Sequence, residues 1–238
     1  MRNSPYGGYG YQPSQYGGYG AAAGAAFQSL LSKVLTLLSL SMLTAGVGLA
    51  VGWQLIRSGD IGFLFPAIIL EFVVLIALMI TGRVLKRAAA LNLLLLFAFT
   101  FISGLTISAV IAAYVAIGAE TAVAEALVLT GVLTVGLGMY AWTTRRNLSR
   151  LGPILFVGLL TLVVASIFSI FLSFGWLSFA IAVGGVVIFS GYILYDIQRI
   201  KYTENTLAAA ILLTVSLYLD IINLFLSLLR LLGGGRRS

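Results

Sequence analysis

From Phe27 onward the chain is a succession of long apolar runs separated by short polar breaks. The runs cover 34–55, 62–81, 91–117, 122–142, 152–173, 176–197 and 207–231. Each is close to the ~20 residues a helix needs to cross a ~30 Å hydrocarbon core. Barrel strands alternate apolar and polar residues over about 10 positions, whereas stretches such as LNLLLLFAFTFISGL are continuously apolar. The pattern therefore predicts an all-α chain with seven transmembrane helices. The breaks are compact: Arg57 to Asp60, Gly82 to Arg87, Gly118 to Glu120, Thr143 to Leu151, Phe174 to Gly175 and Arg199 to Asn205. Pro153 falls where a first helical turn tolerates proline, because the missing N–H has no partner there. The opening MRNSPYGGYGYQPSQYGGYG repeats YGGYG and has neither an apolar run nor a period, which reads as a disordered tail. The expected organisation is a Tyr/Gly-rich tail over 1–27, a membrane domain over 28–233 and a short basic tail over 234–238.

Composition narrows the class. Of 238 residues 61% are hydrophobic and 9% charged, and the mean hydropathy is +1.09. A soluble domain carries roughly 25% charged residues, so the chain is an integral membrane protein. Cysteine and histidine are both absent, which removes zinc and haem ligation, thiol chemistry, disulfides and any catalysis that leans on an imidazole. No cofactor is required by anything in the sequence. The net charge of +7 does not point to nucleic acid, because the cations sit at helix ends, where they set topology and touch anionic headgroups. Arg2, Lys33, Arg83, Lys86, Arg87, Arg145, Arg146, Arg150, Arg199 and Lys201 fall on one side, against Arg57, Arg230, Arg236 and Arg237 on the other. The expectation is a multi-pass protein of the cell membrane with a cytoplasmic N-terminus. A seventh helix that fails to cross fully would put both ends inside.

Scarce charge makes each acid informative, since ionisable groups inside hydrocarbon are costly and by default mark function. Asp60, Glu120 and Glu204 lie in breaks and Glu125 lies near a helix end, which leaves Glu71, Asp196 and Asp220 at membrane depth. If the sixth and seventh helices form a hairpin with its apex near residue 208, both aspartates lie about 18 Å from it and face each other. Ser216, Asp220, Asn223 and Ser227 share one helical face, and Tyr192 and Arg199 flank Asp196 at i−4 and i+3. Two carboxylates in a dry site share a proton rather than both staying ionised. Such a pair serves as a proton-controlled latch, as a hard-oxygen contact for calcium, or as the acid and base of an aspartyl protease. Composition does not choose among these.

The stretches SGYILYDIQRI, SLYLDIINLFLSLLRLLGG and LNLLLLFAFTFISGLTIS together resemble the Bax inhibitor-1 family, also called the transmembrane Bax inhibitor motif family, in its prokaryotic form. The resemblance runs from about residue 28 to 233 and leaves out the Tyr/Gly tail. It implies a central hydrophobic seventh helix wrapped by the other six. It also implies a calcium leak controlled by pH through an aspartate pair, which maps onto Asp196 and Asp220. The acid in PAIILEF maps onto Glu71, toward the conduction path. The family's arginine at the end of the second helix aligns with Gly82. The nearest arginine is Arg83, one residue later and turned by about 100°.

On that reading calcium and protons are the partners, together with the bilayer. When the pair is ionised or singly protonated, hydrogen bonds and an arginine hold helices six and seven against helix two; further protonation opens the bundle. A rival is a non-conducting regulator that binds other membrane proteins, such as a membrane protease, using Gly48 and Gly52 at GxxxG spacing. An intramembrane aspartyl protease expects GxGD at its second aspartate and a later proline motif. This chain has YLD and no proline after Pro153.

Overall fold

The structure, a computed structural model, describes residues 16–84, 88–172 and 174–234, with the side chains of 16–28, 83 and 84 outside that description. Seven helices follow in order: α1 (Tyr16–Arg57), α2 (Leu64–Val84), α3 (Ala89–Ala116), α4 (Glu120–Thr143), α5 (Leu151–Phe171), α6 (Gly175–Ile200) and α7 (Leu207–Gly234). All seven are long and apolar enough to cross a membrane, and no strand occurs among the described residues. The expected spans hold to within a few residues except at the first. There the helix starts at Tyr16, so residues 16–27, expected as part of the tail, are helical. The alanine-rich AAAGAA segment explains this, since alanine is the strongest helix former. The remaining tail lies outside the described residues, as does 235–238.

Helices in hydrocarbon associate by close packing rather than by expulsion of water, so small residues decide where backbones meet. α1 and α3 run side by side in the same direction, with Gly48 against Phe101 and Gly52 against Leu105 and Ser108. A Cβ built on Gly48 would lie 2.0 Å from the Phe101 carbonyl oxygen, and one on Gly104 would lie 2.0 Å from that of Ala45. The Gly48/Gly52 pair is thus consumed within the chain. Gly59 (φ +84°) and Gly118 (φ +72°) turn the chain after α1 and α3 in the left-handed region that favours glycine.

The most buried helix is α7. It touches α1, α2, α3, α4 and α6, while among the described residues α5 packs on α6. α7 is thus the central helix of the bundle, with five helices against it and α5 completing the wrapping through α6. In its first half Tyr218 meets Phe99 edge-on, with ring centroids 5.7 Å apart. Further along the helix, Leu224 and Leu229 join Ile193, Ala122 and Ala126. The outward faces stay apolar: Phe65, Val128, Ile170 and Phe171 are exposed. Only a hydrocarbon solvent accommodates so much apolar surface alongside helices whose backbone groups are satisfied internally.

Two clamps fix the polar end where α4 and α6 finish. The Gln198 amide donates to the Arg146 carbonyl (2.6 Å), and its oxygen accepts from the Leu148 N–H. The Lys201 ammonium donates to the last carbonyls of α4, on Ala141 (3.0 Å) and Trp142 (2.9 Å). The Lys201 clamp occupies acceptors that a helix end leaves open, and the Gln198 clamp holds the connection that follows.

Candidate functional site

The α6–α7 interface brings Asp196 and Asp220 together. They are 1% and 7% exposed, and each carboxyl lies in the field of the other. The depth match arises differently from the symmetric hairpin expected. Asp196 is four residues from the end of α6, and Asp220 is thirteen residues into α7. The nine-residue difference, about 14 Å of helix, is taken up by residues 201–206, which run beside the first turns of α7. Thr203 and Arg199 accordingly line a cavity with Ala209 and Ser216.

Around the pair, Ser216 lies beside Asp196 and Tyr192 lies beside both aspartates. Arg199 reaches Asp196 Oδ1 at 3.9 Å, with its side chain 56% exposed. Such a pair is long and half-solvated, so it is weak. Oδ2 of each aspartate is buried without a hydrogen-bond partner. An acceptor left this way is costly, and a shared proton or an arriving cation relieves it. The pair and the Ser216 hydroxyl offer fewer oxygens than the 6–8 that calcium collects in a resident site. Among the described residues no three acids converge. The geometry suits transient contact better than storage.

Below the pair the seam turns inward on its own helix. Asn223 Nδ2 donates to the Leu219 carbonyl (2.8 Å), and Ser227 Oγ donates to that of Asn223 (2.7 Å). Ser227 also fills the space that a side chain on Gly185 would need, 2.3 Å from its Cβ. Asn223, Ser227 and Arg230 then line a cavity of about 470 Å³ among α5, α6 and α7.

Glu71 belongs to a different group. Its carboxyl accepts a 2.7 Å hydrogen bond from Thr106 Oγ1 on α3, near Ser103 and Tyr218 on the flank of α7 away from the aspartates. Gly82, aligned with the family's arginine, is buried against Leu212 of α7, and a Cβ there would lie 2.8 Å from its Cδ2. α2 meets α7 at the position where that arginine would stand. The Arg83 side chain lies outside the described residues.

Sequence reasoning missed Gln198 and Thr106. Gln198 stands one residue past the sixth apolar run, in the YDIQ stretch itself, which was signal enough. Thr106 had none, because threonine is common in such helices and its partner is 35 residues away.

A family profile described as "Inhibitor of apoptosis-promoting Bax1" matches residues 27–237. An uncharacterised protein of Campylobacter jejuni is 37% identical over 203 residues, covering 85% of this chain and 87% of its own. The inner membrane protein YbhL of Escherichia coli is 33% identical over 183 residues, 73% of this chain and 76% of its own. A Borreliella burgdorferi protein is 29% identical over 222 residues, 87% and 93% of the two chains.

Proposed function

The chain belongs to the Bax inhibitor-1 family of multi-pass membrane proteins, and from that premise we propose that it is a pH-sensitive calcium leak gated by Asp196 and Asp220. The observation that carries the reading is the pair of buried carboxyls facing each other across α6 and α7, each with an unpartnered oxygen. With at most one proton on the pair, a net negative charge attracts Arg199 and the arginine at the end of α2, Arg83, and the bundle stays closed. A second proton removes that attraction, and the α6–α7 contact loosens. Calcium then moves down its gradient, with the carboxylate oxygens as transient contacts. Asn223 supplies polar lining toward the other face, Glu71 would serve a second polar path on the opposite flank of α7, and the basic end carrying Arg145, Arg146 and Lys201 is cytoplasmic.

The test is calcium flux into proteoliposomes between pH 6 and 8. The expected result is a leak that rises as pH falls in the wild-type chain and is flat in both Asp196→Asn and Asp220→Asn. Unchanged pH dependence in both variants would sink the latch. Cleavage of a transmembrane peptide, lost in both variants, would instead favour the protease. The regulator reading loses its sequence support, because Gly48 and Gly52 face α3 rather than a partner.

A further inference from the structure

α1 and α4 do not touch among the described residues, and the gap between them exposes a strip of α6 and α7 to the membrane. Two cavities fill this gap, of about 420 and 410 Å³. They share Thr134, Val135 and Ile221, so they form one continuous groove. The first half runs along α4 from Thr134 to Thr143, about 14 Å of helix, which is close to half of a ~30 Å hydrocarbon core. The groove is thus two leaflet-length halves end to end. In the first half its walls are apolar, with Leu35, Val135 and Trp142 on its sides and Ile197 and Ile221 on its floor.

The two ends of this first half differ. Its inner end continues into the second cavity, while its outer end, at Trp142 and Thr143, is followed by cations. Lys201 sits on the last carbonyls of α4, and Arg145 and Arg146 follow within three residues of Thr143, both exposed. None of the three is paired with a carboxylate among the described residues. Glu204, the acid nearest in sequence, is exposed in the following loop. An apolar slot one leaflet long that ends at unpaired cations fits one molecule above others, an anionic phospholipid with an acyl chain in the slot and its phosphate at the mouth.

We propose that the half of the α1–α4 groove ending at Arg145, Arg146 and Lys201 is a binding site for an anionic phospholipid. Its acyl chain lies on Ile197 and Ile221, the immediate neighbours of Asp196 and Asp220, so an occupied site braces the aspartate hairpin from behind. The binding itself does not depend on the leak.

Trp142, on the groove wall, reports occupancy. The full chain carrying Trp53→Phe and Trp176→Phe is reconstituted in phosphatidylcholine with a small fraction of either brominated phosphatidylglycerol or brominated phosphatidylcholine. Brominated phosphatidylglycerol should quench Trp142 at a mole fraction roughly 30- to 150-fold lower, as expected for two or three cations at a surface. Arg145→Gln with Arg146→Gln, two exposed positions whose side chains bear no hydrogen bond among the described residues, should abolish the preference, and the two lysine replacements should keep it. Val135→Phe should reduce quenching by filling the slot. Equal quenching by the two lipids, or a preference that survives the glutamine variant, overturns the proposal. So does a preference untouched by Val135→Phe, which would place the lipid on the surface. Weak quenching by both lipids with dimer cross-linking through Gly131→Cys would assign the groove to a second copy and overturn it as well.

Discussion

Replacing Gly104 by alanine tests whether the α1–α3 contact is set by backbone contact. The new methyl would lie 2.0 Å from the Ala45 carbonyl oxygen, 2.8 Å from its carbon and 2.9 Å from the Leu49 nitrogen. All three are backbone atoms, so no side chain can swing aside. Ordinary carbon-to-oxygen contact begins near 3.3–3.6 Å, so the two helices must part by more than about 1 Å at this level. The facing contact of Gly48 with Phe101, equally close, opens with it. Overpacking of this kind costs about 3 kcal/mol at its upper end. At ~2–4 °C per kcal/mol for a chain of this size, the unfolding midpoint should fall on the order of 5–10 °C. The control is Gly46→Ala in the same stretch of α1, where a Cβ meets nothing within 4 Å. Alanine there should be neutral or slightly stabilising, since it favours helix over glycine. Both variants are unfolded thermally in the same detergent and followed by far-ultraviolet circular dichroism. A Gly104→Ala midpoint equal to that of Gly46→Ala would refute the close approach and the packing of α1 on α3 derived from it.

Two further outcomes follow from polar contacts. Thr106→Val removes the 2.7 Å hydrogen bond to Glu71 and should lower stability by about 1–3 kcal/mol, read as a fall in the unfolding midpoint. Thr161→Val, which loses only a bond to its own helix at Val157, should be close to neutral; equal falls in both would show that the Glu71 contact adds nothing. Gln198→Leu releases the two bonds that hold the segment after α4. Limited trypsin digestion should cut after Arg145 and Arg146 on the order of tenfold faster, as expected when local opening eases by about 1.4 kcal/mol. Unchanged cleavage would mean that Lys201 alone secures this end.

How much was legible follows from which signals are local. Seven apolar runs identify seven helices because in hydrocarbon each must satisfy its own backbone, so tertiary context has little to override. The exception, Tyr16 to Phe27, lacks an apolar run yet carries alanine, and helix propensity decided it. The aspartates were found by scarcity, and their pairing by an argument that counted residues from an assumed apex. That count reached the right neighbours through the wrong geometry, since α6 stops at Ile200 and 201–206 makes up the difference. Glu71 could not be placed this way. Its depth is readable from position, but which flank of α7 it meets depends on how α2 rotates, and Gly82 against Leu212 sets that rotation. The parallel pairing of α1 with α3 was likewise invisible, because Gly48 and Gly52 announce a close contact without saying with what.

The central position of α7 has a consequence for the order in which the protein comes into being. It is the last of the seven helices to leave the ribosome, yet α1, α2, α3, α4 and α6 all lean on it. At about 5–20 residues per second, the 118 residues between the end of α3 and the end of α7 take on the order of ten seconds. Through that interval α1 and α3 have each other, locked by glycine, but the ring has no centre. The nascent protein therefore waits in the membrane as a crescent. Its inner wall, including Asp196, is open to lipid or to insertion machinery until the final helix arrives with Asp220 and closes it.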